Sequence, residues 1–201
     1  VVMMPVMDGF AFAKEVKENV SYSHIPLVLL TAKTDNISKV TGIKSGADAY
    51  IEKPFSTQVL RAQIENLLES RKKLRKKFSE MPFVPLDSVA VNKADEQFLS
   101  KMNEIIEKNI SNVDFSIDIL AEQLCISRSG LFAKIKTLVE MTPNELIQLV
   151  RLKKAAELLA TQKYRINEIC YQVGFNNPSY FSKCFQKQFG VLPKDFMNKK
   201  N

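Results

Sequence analysis

Apolar residues follow two different rhythms along this chain. Pro26-Leu-Val-Leu-Leu-Thr31 is an unbroken apolar run of the kind that forms a buried parallel strand, and Ala49-Tyr-Ile51 predicts a second short strand. Around them the spacing is helical. An amphipathic stretch from Phe10 to Val20 follows the turn Pro5-Val-Met-Asp-Gly9, Asn36 to Ser45 predicts a helix closed by Gly46, and Gln58 to Leu68 predicts another. Strand alternating with helix implies an α/β sheet, with Thr31 and Lys53 at its strand ends. From Asp95 onward the helical period stands alone: Phe98, Leu99, Met102, Ile105 and Ile106 make one stripe over 95–109.

The remaining pattern occurs twice. Ile117 to Ile126 lies over Ile166 to Phe175 at an offset of 49. After the turn the offset is 50, so that Leu131 falls on Phe181, Ile135 on Phe185, Glu140 on Gly190 and Pro143 on Pro193. The extra residue lies within Asn176-Asn-Pro-Ser179, where a turn absorbs it. Each copy predicts two short helices and a tight turn: Ile117–Leu124 with Arg128–Leu138, then Ile166–Val173 with Pro178–Phe189. Between them Thr142-Pro143 reads as an N-cap and first helical position for a long helix over 144–161. Gly174, at the second turn, predicts a close approach or a positive φ.

The join between the halves has its own character. Arg71-Lys-Lys-Leu-Arg-Lys-Lys77 extends the preceding helix as a basic rod or forms a solvated linker, and Pro82 and Pro85 then forbid regular helix. The expected domains are residues 1–70, a basic helix and linker over 71–94, and residues 95–201. Charge sharpens the division. The net charge is +7, with −1 over residues 1–70, +6 over 71–77, −4 over 78–115 and +6 over 116–201. Positive charge thus concentrates in the rod and the doubled region, where it favours phosphate backbones.

Candidate contacts follow from the helical faces. In the first copy Leu131, Ile135 and Leu138 face the core, leaving Ser127, Arg128, Ser129, Phe132, Ala133 and Lys136 outward. In the second, Tyr180, Phe181, Phe185 and Phe189 read as core, leaving Asn177, Pro178, Ser179, Ser182 and Lys183 outward. A helix of this kind enters the major groove and reads base edges near its N-terminal end. Arg128 can grip guanine or bind phosphate; Lys153, Lys154, Lys163 and Arg165 read as phosphate contacts or solvated charges. Cys125, Cys170 and Cys184 fall on apolar helix faces with no paired framework, which fits a reducing compartment, the cytoplasm; with His24 the only histidine, no Cys/His metal cluster is expected. No stretch is apolar enough for a bilayer span and Val1 to Gly9 lacks a signal peptide's basic start, so no membrane contact is expected.

Four motifs in the first segment, Met3-Met-Pro-Val-Met-Asp-Gly9, Leu30-Thr-Ala-Lys33, Gly46-Ala-Asp-Ala-Tyr50 and Glu52-Lys-Pro-Phe55, resemble the second half of a response-regulator receiver domain. The resemblance implies that Thr31 and Lys53 supply the hydroxyl and ammonium that contact an aspartyl phosphate, and that Tyr50 is the switch aromatic. It also places Val1 where the family has its phosphoacceptor aspartate, and puts the magnesium-holding carboxylates upstream, so the chain reads as a fragment that is catalytically silent as it stands. No cofactor is expected here, magnesium belonging only to a complete receiver.

Gly174-Phe-Asn-Asn-Pro-Ser-Tyr-Phe-Ser-Lys-Cys-Phe185 and Phe189-Gly-Val-Leu-Pro193 are similar to the signature of AraC-type DNA-binding domains. The fold class expected is therefore mainly α: an incomplete α/β, flavodoxin-like receiver followed by an all-α domain with two helix-turn-helix units. This implies a sequence-specific transcription regulator at the output end of a two-component phosphorelay, possessing no enzymatic activity of its own. Its expected partners are double-stranded DNA, a second copy in a full-length homodimer, and an upstream histidine kinase or phosphotransfer domain. Two alternatives belong to other classes. A DNA-repair methyl acceptor needs a reactive, exposed thiolate, against which the core positions of the three cysteines argue. An interaction module would bind DNA only incidentally, losing all sequences alike as salt rises.

Overall fold

The computed structural model describes residues 7–19, 22–32 and 45–198. The helix expected over Asn36–Ser45 lies outside the described residues except for Ser45, and so does Val1. The chain divides into two compact units, Val1–Leu74 with Ala90–Phe98, and Arg75–Val89 with Leu99–Asn201.

In the first unit, helix α1 (Gly9–Glu18) starts because the Asp8 carboxylate accepts the amides of Phe10 and Ala11 at 2.9 and 2.8 Å. Strands β1 (Val28–Thr31) and β2 (Ala49–Glu52) pair in parallel, Val28 opposite Ala49 and Thr31 opposite Glu52. Helix α2 (Thr57–Glu80) is continuous, so the basic run does extend the helix before it. Arg71 nevertheless leaves the solvated face. Its guanidinium reaches the Asp48 carboxylate at 2.5 Å and the His24 carbonyl at 3.0 Å, while Lys17 approaches the same carboxylate at 2.6 Å. The Leu27 amide adds a fourth tie at 2.7 Å. Lys17, Asp48 and Arg71 side chains are each under a tenth exposed.

Burial pushes the Asp48 carboxyl up, but the bonds from Lys17 and Leu27 and the charges of Lys17 and Arg71 together hold it below its ordinary value. Helix α3 (Lys93–Lys108) opens in this unit, the Asp95 amide donating to the Asn92 side chain at 2.8 Å and the Ser23 hydroxyl donating to buried Asp95 at 2.7 Å.

The second unit repeats itself in three dimensions. Its elements are α4 (Ile117–Gln123), α5 (Arg128–Val139), α6 (Pro143–Thr161), α7 (Ile166–Gln172), α8 (Pro178–Phe189) and α9 (Pro193–Asn198). The bounds of α4 and α7 differ by the 49 residues of the sequence offset, those of α5 and α8 by 50. Even the turns match bond for bond. The Cys125 and Ile126 amides donate to Glu122 and Ala121 at 2.9 and 3.1 Å, and those of Gly174 and Phe175 donate to Tyr171 and Cys170 at 3.1 and 3.0 Å. Both turns require a left-handed residue: Gly174 has φ +79° as expected, and Cys125 takes φ +55°. Cys125 is exposed there, which corrects its reading as core; only Cys170 is fully buried, and Cys184 is half-buried.

Helix α6 is buried on nearly every side, from Leu146 through Leu159, and it opens with a capping box between Thr142 and Glu145. Around its second half Ile169, Val173, Phe175, Phe181 and Phe185 close one core, with edge-on rings such as Phe175 on Phe181 at 5.3 Å. Leu120, Leu131, Ile135 and Leu138 are buried in the first copy. Tyr180 is 55% exposed and is not core. Its counterpart by the offset of 50 is Gly130, also exposed.

Two predictions test this packing. Asp48→Asn leaves two buried cations without their shared anion and destabilises the first unit by about 3 kcal/mol or more. Because the folded-state pKa of Asp48 is lowered, its contribution is present above the unfolded value of about 3.9 and is lost as pH falls through the folded one; thermal melts across that acid range should converge for wild type and variant. A Cβ at Gly174 would lie 2.4 Å from the Ile110 carbonyl and 2.9 Å from the Arg151 guanidinium carbon. Gly174→Val should therefore cost about 3 kcal/mol or more in the second unit, read as a lower melting temperature.

Candidate nucleic-acid interface

Each recognition helix is started by a side chain that the sequence placed at the interface. Ser127 Oγ accepts the Gly130 amide at 3.1 Å, and Asn177 Oδ1 accepts the Tyr180 amide at 2.9 Å, so both N-cap their helices. Their side-chain oxygens are committed to backbone, which fixes the first turn that follows. Arg128 and Pro178 occupy the first helical position of α5 and α8. Ser129, Ala133 and Lys136 on α5 and Ser179 and Lys183 on α8 are exposed; Phe132, Pro178 and Ser182 are half-buried. The Ser182 hydroxyl donates to the Pro178 carbonyl at 2.9 Å, turned into its own helix. The outward set is therefore brought onto the exposed faces of α5 and α8, with Phe132 and Ser182 at its edges.

Arg128 has a partner already. It donates to both oxygens of Asp118 at 2.6 and 2.7 Å and its guanidinium carbon lies 5.8 Å from the Phe132 ring centre. Both members of that pair are more than half exposed, and exposed pairs are worth at most about 1 kcal/mol. A good base contact is worth about 1–3 kcal/mol. The Asp118 pair is thus weaker than a base contact would be.

Other basic residues change role. Lys153 is buried, its ammonium donating to the carbonyls of Met81, Pro82 and Val84 at 2.5, 3.5 and 3.1 Å and standing 4.5 Å from the Phe78 ring centre. Burial pushes it down to about 8, opposed by Glu157, which leaves it mostly charged at neutral pH. It anchors the proline-rich linker and does not face solvent, a correction to its reading as a phosphate contact or solvated charge. Lys154 is paired to Glu157 at 2.8 Å, and Lys163 and Arg165 are exposed. Arg151, which sequence reasoning passed over, donates to the Asn112 carbonyl at 2.6 Å and the Gly174 carbonyl at 3.2 Å and so braces the second turn. Tyr180 was also missed as a surface group: Gln148 Nε2 stands 3.5 Å from its hydroxyl and 3.1 Å from Cys184 Sγ. The exposed Gly130 in the duplicate was the signal that could have found it.

In the first unit the parallel register sets Thr31 opposite Glu52, and the Lys53 amide donates to the Thr31 carbonyl at 2.6 Å. Thr31 is buried, Lys53 exposed, and Tyr50 half-buried with its ring parallel to Phe10 at 6.3 Å. Thr31 and Lys53 thus share one end of the strand pair, whereas Tyr50 lies nearer the other, opposite Leu29. Among the described residues no three His, Cys, Asp or Glu side chains are grouped to hold a metal ion. Nor, among them, is any helix long and apolar enough to cross a membrane.

Residues 2–65 match the response regulator receiver domain and residues 120–199 a helix-turn-helix domain. A probable transcriptional regulator, ycf29, of Cyanophora paradoxa is 30% identical over 68% of this chain and 67% of its own length. The chain belongs to the response regulators with an AraC-type output domain. An AraC-type regulator from Chromobacterium violaceum, 23% identical, superimposes with a TM-score of 0.50 over 55% of this chain and all of the other, in agreement with the fold of the second unit. The histidine kinase P4 of Formosa agariphila is 45% identical over 98% of this chain, but the chain spans only 14% of that protein. The name of the kinase belongs to a much longer protein.

Lys153→Met separates anchoring from phosphate contact. We expect a lower melting temperature, by the equivalent of about 1–3 kcal/mol, with unchanged affinity and salt dependence for DNA in the folded fraction. A smaller salt slope with unchanged melting would restore Lys153 to the phosphate surface.

Proposed function

We propose that α5 and α8 enter the major groove of duplex DNA and read its sequence, and that the chain thereby regulates transcription. The observation that carries this is the matched pair of exposed, N-capped helix starts, Ser127-Arg128-Ser129 and Asn177-Pro178-Ser179, built on one shared helix. On α5, Arg128, Ser129, Phe132, Ala133 and Lys136 meet DNA; on α8, Pro178, Ser179, Ser182 and Lys183 do, with Ser127 and Asn177 setting the first turns. Lys183 falls on Ala133 by the offset, so the second helix reads with a long cation where the first has a methyl group. Tyr180 joins this surface as a further candidate.

The receiver segment supplies the input. Thr31 and Lys53 are positioned at one sheet end to offer a movable hydroxyl and a fixed cation to a phosphoryl group, and Tyr50 follows that engagement. The long relative named as a histidine kinase supports placing this chain at the output end of a hybrid protein, with an upstream kinase or phosphotransfer domain as its phosphate source and pairing of two copies as the step that phosphorylation changes. That reading places the protein in the cytoplasm and assigns it no cofactor beyond the magnesium of a complete receiver.

The test compares charge with recognition. Arg128→Ala or Lys183→Ala should lower the ratio of affinity for a selected site to that for a scrambled duplex by about 5- to 150-fold, the equivalent of one base contact. The triple change of Lys72, Lys73 and Lys76 to alanine, on the exposed face of α2, should leave that ratio alone and at most reduce the salt slope. Titrations of each variant at several salt concentrations decide it. Loss of discrimination in the triple variant alone would move the reading head away from α5 and α8.

A further inference from the structure

The C-terminal ends of both recognition helices are held by one short stretch of α2. Arg75 Nε donates to the Leu138 carbonyl at 3.0 Å, Nη2 donates to the Thr137 carbonyl at 2.5 Å, and Nη1 pairs with the Glu140 carboxylate. One turn later the Ser79 carbonyl accepts Gln188 Nε2, from the last turn of α8, at 2.8 Å. All of these residues belong to the second compact unit. The chemistry suits the place. The last carbonyls of a helix have no partner within it and carry its negative pole, so a guanidinium with a planar fork of donors satisfies them and its charge is welcome.

A second observation, in the backbone, points the same way. Glu140 ends α5 with φ +60°, and its counterpart Gly190 ends α8 with φ +74°. A left-handed turn favours glycine, and a side chain there is strained. At Gly190 a Cβ would meet nothing within 4 Å, so crowding does not set that choice. At Glu140 the chain carries a side chain in the same unfavourable conformation, and that side chain is the one that pairs with Arg75. The strain is held where it supplies a contact the second copy lacks.

We propose that Arg75 and Ser79 form a clamp that fixes the separation and angle of α5 relative to α8, and with them the spacing between the two half-elements of the DNA site; Arg75 and Glu140 are its positioning residues. This rests on the reading that both helices enter DNA. Successive major-groove faces lie about one helical turn apart, about 34 Å, so one inserted base pair both lengthens and rotates the target. A rigid protein resists that change and an unclamped one accommodates it.

The experiment uses the full 201-residue chain and a duplex it selects from a random pool, with half-elements located by footprinting. The same duplex is then made with one base pair inserted between them, and the ratio of the two affinities is measured. Glu140→Gly removes the carboxylate and the strain together, so it should keep or raise the melting temperature while reducing the spacing ratio by about tenfold. Arg75→Met should reduce the ratio likewise, and Arg75→Lys should not rescue it, since lysine keeps the charge and loses the fork. A destabilised but otherwise normal protein would weaken binding to both duplexes alike and leave the ratio unmoved. Glu140→Gly with an unchanged ratio overturns the clamp, and so does full rescue by Arg75→Lys, which would make Arg75 a simple charge. If the unaltered chain selects no sequence at all, the DNA-reading proposal fails first and the clamp with it, an outcome distinct from a variant that selects normally but keeps its spacing preference.

Discussion

A seven-residue helix has no stability of its own in water, and each helix-turn-helix unit begins with one, α4 and α7. Everything in the second unit follows from how that deficit is met. Helix α6, buried on nearly every side, offers apolar surface to both copies at once, and each copy adds a tight left-handed turn that delivers its recognition helix at a fixed angle. The turns are held by the same two backbone bonds in each copy, so the turn within each unit is set by main chain, while the angle of one recognition helix to the other is left to contacts outside the turns. This is why Cys125 can stand where the duplicate has Gly174: the turn imposes its conformation on a residue that disfavours it. At the second turn more is asked, because Ile110 and Arg151 crowd the space a side chain would need.

Much of this was legible in the sequence because it is written in local rules. The two offsets reappear as element bounds, Thr142 caps its helix as expected, and the two prolines follow the end of α2. Asp48 lies in a motif that was read for its likeness to a receiver, yet its burial between Lys17 and Arg71 was not legible, since the three are far apart in sequence and nothing local announces the pairing. The same holds for Lys153 and Arg75. Each is basic in a basic region, and sequence gives no means of telling a cation that faces solvent from one folded onto carbonyls tens of residues away. Tyr180 failed for another reason. An aromatic beside Phe181 invites assignment to the core, but the helical period puts adjacent residues about 100° apart, and the exposed glycine at the matching position carried the correct answer.

The candidate site was legible in outline and not in its bonding. The outward faces of α5 and α8 were identified from which residues the core needed, and exposure agrees for most of them. What periodicity cannot supply is the state of each side chain without DNA. Ser127 and Asn177 are occupied in capping, and Ser182 is turned back onto its own helix. These three shape the surface more than they extend from it.

Charge is the clearest case where a count misleads. A net charge of +7 suggests abundant phosphate contacts, yet Lys17, Arg71, Lys134 and Lys153 are buried, Arg75 and Arg151 are directed at helix and turn carbonyls, and Arg128 is paired with Asp118. Among the described residues from 116 onward, the other exposed cations are Lys136, Lys163, Arg165, Lys183, Lys187 and Lys194. A protein that meets phosphates with few charges has a shallow salt dependence and weak non-specific binding. The inward-directed cations act on structure instead: Lys153 holds the linker, Arg151 the second turn and Arg75 the end of α5, so that positive charge goes into fixing geometry.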